Sequence, residues 1–266
     1  MTLPPMGLEP TVELTAGWRA WGRVVALLAA VTFAISTALS ALDSLNITTP
    51  EAHVNLAAPF PDRILTILQN QSARFPWVLA ATLLAMVSLA ALAALGPVLR
   101  RLIGVDDPRG SLVSGAFLFG GLVGVAGELA FIGGQAVASD TSYCDCDFAD
   151  PQLIARIGVL DLVSSIQTWM LAGLLVAFGI GLVALAMVVG RTWTTRGWRL
   201  LSGVLGVLML VVALLLVGFP PLANAMRWDV DANLVTGLPS LLVLLVLVPW
   251  WALWLRRLLA TEARPA

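Results

Sequence analysis

Charge disappears from this chain over long stretches. From Val24 to Leu42 no ionisable side chain occurs, and comparable apolar runs follow at approximately 77–99, 111–138, 163–189, 200–219 and 238–255. At 1.5 Å per residue an α-helix needs roughly 20 residues to cross ~30 Å of hydrocarbon, so each run reads as a bilayer span. The last is the most marginal, because Pro239 stands near its start. Lipid offers no partner for free backbone N–H and C=O groups, and these runs lack the alternation of a barrel strand. The pattern predicts an all-α protein: one domain over residues 1–266, six transmembrane helices in a bundle, and outer loops at 43–76, 139–162 and 220–237.

Composition makes lipid the solvent for most of the chain. With 59% hydrophobic and 12% charged residues, 266 residues carry too little polar surface to clothe a soluble globule. The first span could in principle be a cleaved leader, since "ISTALSALDS" offers small residues at a suitable spacing. Its apolar run exceeds the usual ~7–15-residue leader core, and Glu9 and Glu13 precede it, so a retained anchor is expected.

The basic residues then orient the bundle. All are Arg, and with both termini cytoplasmic the inner side holds Arg19, Arg23, Arg100, Arg101, Arg109, Arg191, Arg196, Arg199, Arg256, Arg257 and Arg264. Only Arg63, Arg74, Arg156 and Arg227 fall outside, which follows the positive-inside rule. Tryptophans near the span ends, such as Trp18, Trp77, Trp169, Trp198, Trp228 and Trp251, suit the two aromatic belts. The absence of Lys suggests a GC-rich bacterial genome, and hence a multi-pass protein of a bacterial plasma (inner) membrane.

Two outer loops carry candidate structure. "FPDRILTILQNQSARFPW" starts with a Pro-Asp pair and repeats Ile64, Leu65 and Leu68 on one face, which predicts a short helix lying in the outer interface, or a lid over a cavity. "SDTSYCDCDFADP" gathers Asp140, Asp145, Asp147 and Asp150 around Cys144 and Cys146, the two cysteines of the chain. Three readings stay open there. One is a solvated acidic turn with a local Cys144–Cys146 disulfide, favoured outside the cytoplasm. The second is a hard-cation site of carboxylates, though without the glycine and terminal Glu of an EF-hand. The third is a thiolate metal or redox site, for which two ligands fall short of a tetrahedral set. Asp150-Pro151 reads as the cap and first residue of a helix continuing into the fourth span.

Within the spans Glu128 is the exception. It stands in "VGVAGELAFIGGQ", between Ser111 and Ser139, which otherwise carry no charge between them. Ala116, Gly120, Gly124 and Glu128 recur every four residues, and Gly120, Gly127 and Gly134 every seven, so that side of the helix is expected to pack closely on a neighbour, with Glu128 facing into the bundle. A charged carboxylate in hydrocarbon costs several kcal/mol, so a protonated carboxyl or a water-filled cavity is expected. Candidate partners are Gln135 on the same helix and Ser164, Gln167 and Thr168 on the fourth span. That span carries its own ladder, Gly173, Ala177 and Gly181, and should pack on the third. Glu128 is then either interhelical glue or a proton or cation site lining an outward vestibule. Thr32, Ser36, Thr37, Thr82 and Ser88 are expected to bond their own helix backbones.

What is missing narrows the chemistry further. No His lies in a span to ligate haem, no Lys could form a retinal Schiff base, and there is no HExxH motif, intramembrane aspartyl pair or base beside a nucleophilic Ser. "GGLVGVAG" sits inside an apolar run and is a packing face, not a phosphate loop. The expectation is a non-enzyme with no cofactor, whose partners are the lipid bilayer and a second copy or another membrane protein, and which binds no nucleic acid.

The order of "LAALGPVLRRL", "AFLFGGLVGVAGELAFIGG", "TWMLAGLLVAFGIGLVALAMVV", "RGWRLLSGVLGVLML" and "LPSLLVLLVLVPWWALWLRR" resembles an uncharacterised bacterial family of six-span integral membrane proteins, known as a domain of unknown function. The resemblance covers residues 55–260 and implies fold and location, not activity. Members often carry an Arg just before the Glu of the third span; "FGGLVG" here has none.

Overall fold

The computed structural model describes residues 14–49, 57, 59–139, 150–188, 195–226 and 242–261. Among these residues every regular element is helical: α1 (Ala16–Ser44), α2 (Phe60–Ile103), α3 (Pro108–Ser139), α4 (Asp150–Ala186), α5 (Arg196–Met226) and α6 (Val248–Thr261). A π-helical segment, Leu242–Leu247, leads into α6. Pro249 explains it: its ring would strike the Leu245 carbonyl four residues back and it has no N–H to offer, and a widened turn relieves both problems. Among the described residues six helices are long and apolar enough to cross a membrane.

Neighbours in sequence are neighbours in space. α1 packs on α2, α2 on α3, α3 on α4 and α4 on α5, and α6 returns to α1 with a lighter contact to α5. The result is a ring in chain order, which short connections and alternating directions favour.

The first outer loop departs from expectation. Its helix does not lie separately in the interface but is the first part of α2, continuous through Pro76 over 44 residues. At 1.5 Å per residue that is about 66 Å, well over the hydrocarbon thickness, so this end of α2 projects beyond the bilayer. Two contacts hold it there. Ile64 and Leu68 bury against Leu160 of α4, and Arg74 grips Asp43 at the end of α1, Nη2 to Oδ2 at 2.6 Å with Nε at 3.1 Å from both carboxylate oxygens. Thr48 adds a bond to Oδ1 at 3.1 Å. Pro76 costs α2 one backbone bond, as Pro97 does further along, and these tertiary contacts flank the first of them. At the other end α2 stops at Gly104, whose φ of 126° excludes most side chains. α4, by contrast, does run unbroken from Asp150 into the fourth span, as the Asp-Pro start predicts.

Two of the tryptophans expected in a belt are core. Trp198 and Trp251 are fully buried and stack at 5.8 Å, and Phe117 bridges from Trp251 (5.8 Å) to Phe178 (5.1 Å, edge-on). Helices α3, α4, α5 and α6 thus meet on one aromatic cluster. Ser202 makes it affordable to bury an indole N–H: Trp251 Nε1 donates to Ser202 Oγ at 2.9 Å, and Ser202 donates to the Trp198 carbonyl at 2.9 Å. Trp21, Trp77, Trp169 and Trp250 remain exposed, as belt residues should.

Glycines bring helices to backbone contact. A Cβ built on Gly206 of α5 would stand 2.8 Å from the Gly179 carbonyl oxygen of α4, and one on Gly179 would stand 2.9 Å from the Gly206 oxygen. We expect Gly206→Ala to cost about 1–2 kcal/mol, overpacking outweighing the helix propensity gained. Gly218→Ala on the same helix, where a Cβ meets nothing within 4 Å, should be neutral or stabilising. Thermal unfolding in detergent reads both, and the reverse order would contradict the packing described.

Candidate functional site

The candidate site is built on α3, which is flanked on two sides. A Cβ on Gly121 would lie 2.7 Å from the Leu89 carbonyl oxygen of α2, and one on Gly124 would lie 2.8 Å from Leu89 Cδ1. On the other side Gly120 meets Ala177 at 3.2 Å, Gly127 meets Met170 at 2.9 Å, and Gly134 meets Val163, all on α4. The small-residue surface expected to serve one neighbour is therefore divided. The four-residue step from Gly120 to Gly124 carries the contact from α4 round to α2, while the seven-residue ladder stays on α4.

Glu128 sits between these two contacts, half-buried and turned into the bundle. The side chain of Gln167 on α4 lies close enough to interact with its carboxyl. Val163, Gln167, Met170 and Leu174 are spaced by three or four, which is why Gln167 belongs to the face of α4 that touches α3. Gln135, two turns further along α3, is 8% exposed and also buried in the bundle.

Ser164 and Thr168 do not join the site. Each follows a contact-face residue by one position, and one residue turns a helix by about 100°, so both point outward and are exposed. Thr168 spends its hydroxyl on its own helix, donating to the Ser164 carbonyl at 2.9 Å. Of the five polar residues proposed for the membrane interior, the structure places Glu128 and Gln167 together, buries Gln135 along the same helix and turns the other two away.

In the outer-loop group, Asp140, Cys144, Asp145, Cys146 and Asp147 lie outside the described residues; Asp150 is the first residue of α4. Among the described residues no three His, Cys, Asp or Glu side chains come together as a metal site.

Other intramembrane polar groups also join helices. Ser36 of α1 donates to the Ala81 carbonyl of α2 at 2.8 Å, and Ser88 of α2 lies 2.7 Å from Thr32 Oγ1, which itself donates to Leu28 O at 2.7 Å. Own-backbone bonding thus holds for Thr32 and, at the Leu84 carbonyl 2.7 Å away, for Ser88, but not for Ser36, whose hydroxyl goes to α2 instead. The Asp43–Arg74 pair, with side chains 10% and 20% exposed, is an interhelical link absent from the sequence reading. Its one available signal was an Arg on the Arg-poor side, two residues before Pro76.

Chemically, a carboxyl facing a carboxamide offers donors and acceptors on both sides, enough to close one interhelical hydrogen bond in hydrocarbon. No family model, curated protein or solved structure matches this chain.

For this pair we expect Glu128→Gln to leave unfolding nearly unchanged, since an amide keeps the shape and both bonding functions. Glu128→Ala and Gln167→Ala should each destabilise. Their double-mutant cycle should return a coupling of about 0.6–2 kcal/mol. A coupling indistinguishable from zero would remove the pair from the account.

Proposed function

We propose that the protein is a multi-pass component of a bacterial plasma membrane, with a structural or interaction role and no catalysis of its own. The observation that carries this reading is how its polar groups are used. Ser36 with Ala81, Ser88 with Thr32 and Trp251 with Ser202 each join two helices, and Gln167 of α4 faces the Glu128 carboxyl of α3, so these polar groups serve association between helices.

We further read both termini as cytoplasmic. The ends of the helices on that side carry Arg19, Arg23, Arg100, Arg101, Arg109, Arg196, Arg199, Arg256 and Arg257 against Asp106 and Asp107. Arg101 also lies over the Trp18 ring at 4.2 Å, an arrangement suited to a membrane interface.

A second reading, a small transporter or channel, draws on one observation. Glu128, Gln135 and Gln167 occupy the outer half of the bundle, whereas the aromatic cluster of Trp198, Trp251, Phe117 and Phe178 fills the inner half. That is the polarity of an outward vestibule.

Proteoliposomes separate the two. The structural reading expects them to hold a proton or monovalent-cation gradient as long as protein-free vesicles do. A leak that Glu128→Gln abolishes while the fold survives would establish the transporter instead. For orientation, a membrane-impermeant maleimide added to intact cells after mild reduction should label Cys144 and Cys146; labelling only after permeabilisation would invert the topology.

A further inference from the structure

At the arginine-rich end of the bundle three helices meet on one glycine. A Cβ on Gly22 of α1 would stand 2.9 Å from Leu259 Cδ1 of α6 and 3.0 Å from Val98 Cγ1 of α2. Arginines crowd this contact. Arg19 and Arg23 on α1, Arg100 and Arg101 on α2, and Arg256 and Arg257 on α6 all fall within one helical turn of it, about 5 Å along an axis. The positive-inside rule sets the side on which arginines fall, but it asks for no such crowding.

Helix geometry sorts them by flank. On α1 the side that meets α2 is marked by Trp18, whose ring lies 4.2 Å from Arg101, and by Ser36, which bonds the Ala81 carbonyl. At about 100° per residue Arg23 stands about 140° round from Trp18, past the buried Gly22, on the side that turns to α6. On α6 the side that meets α5 is marked by Trp254, whose ring would lie 2.9 Å from a Cβ on Gly197. Leu255 is buried one position on, and Arg256, one position beyond that, falls on the opposite flank, against α1. Arg23, half-buried, and Arg256, exposed, thus line one crevice from its two walls, with the exposed Arg257 at its lip.

Within the described residues no acid answers this group. Arg101 has the Trp18 ring and Arg109 has Asp107, but no described carboxylate pairs with Arg23, Arg256 or Arg257. Asp106 and Asp107 lie in the turn between α2 and α3. Depth is the second observation. Arg23, Arg256 and Arg257 fall inside the apolar spans Ala16–Ser44 and Val243–Ala260 and not in loops beyond them, and the exposed Trp21 and Trp250 stand on the same two helices. Guanidinium groups placed so lie at the level of lipid phosphates, and like charges drawn together there repel unless an anion comes between them.

We propose that the crevice between α1 and α6 binds the headgroup phosphate of an anionic phospholipid, gripped by Arg23 and Arg256 from the two helices with Arg257 beside them. A guanidinium fork matches phosphate oxygens in pairs, and an anionic headgroup relieves the crowded positive charge where a choline headgroup would add to it. A soluble anion would have to leave water to reach this depth, whereas a lipid phosphate is already there. The inference rests on the six-span reading but not on its orientation, since the lipid comes from whichever leaflet lies on the arginine-rich side.

The test is native mass spectrometry of the detergent-purified full chain with equimolar dioleoyl-phosphatidylglycerol and dioleoyl-phosphatidylcholine. Wild type should retain one phosphatidylglycerol with about thirtyfold preference, the weight of two interfacial arginines. Arg23→Gln combined with Arg256→Gln should bring the preference close to parity at unchanged unfolding temperature. Arg256→Gln alone, at an exposed position, should lower it about fivefold and serves if the double variant does not fold. Arg196→Gln, the same loss of charge at the exposed start of α5, should leave it unchanged. Equal retention of the two lipids by wild type, a preference that survives in the folded double variant, or an equal fall in Arg196→Gln overturns the proposal. So does displacement of the lipid by inorganic phosphate in large excess, which would make the ligand a free anion. Release of the chain from membranes by alkaline carbonate would instead sink the six-span reading beneath it.

Discussion

Close approach of helix backbones is the constraint on which the rest of this structure depends. Lipid tails are as apolar as leucine, so helices in a membrane gain little by hiding apolar surface from one another and must gain from contact and from paired polar groups. α3 meets this demand on two sides, with Gly121 and Gly124 against α2 and Gly120, Gly127 and Gly134 against α4. The α4–α5 pair repeats the device at Gly179 and Gly206. Because the backbones come so near, a single carboxyl or hydroxyl reaches the next helix, and Glu128 finds Gln167.

The two halves of the bundle solve the problem differently. Toward the arginine-rich side, large rings fill the centre, Trp198 on Trp251 and Phe117 on Phe178, with Ser202 satisfying the buried indole of Trp251. Beyond the far surface the helices no longer have lipid to define them. There α2 is held by an ion pair to Asp43 and by Ile64 and Leu68 on Leu160, contacts of the kind a water-soluble protein uses. The division follows the solvent each part meets.

How much of this could be read from residues alone depended on the scale of the signal. Six spans were legible because roughly twenty uncharged residues in a row have few other physical explanations. The partnership of Glu128 with Gln167 was legible because the ladders on α3 and α4 each mark a contact face. Ser164 and Thr168 were misassigned because polarity near a face was read as membership of it, and one position of about 100° separates the two. Trp198 and Trp251 misled because a tryptophan near a span end looks the same in sequence whether it faces headgroups or a neighbouring ring. Pro76 concealed the length of α2: the contacts that carry the helix through it, Arg74 to Asp43 above all, join residues 31 apart along the chain.

The central claim is that α3 runs between α2 and α4 at backbone distance, and paired cysteines test it directly. With Cys144 and Cys146 replaced by Ser, the pair Gly127→Cys and Met170→Cys probes the α4 side, where the two Cβ positions would be 2.9 Å apart. The pair Gly121→Cys and Ala93→Cys probes the α2 side, where they would be 2.5 Å apart. A disulfide spans about 3.8 Å between Cβ atoms, so a small outward shift permits either bond. Mild oxidation of native membranes should close both, each within one chain, and Gly133→Cys with Met170→Cys should stay reduced. Failure of either neighbouring pair to link, with the control pair linking as readily, would contradict the placement of α3 on which this account stands.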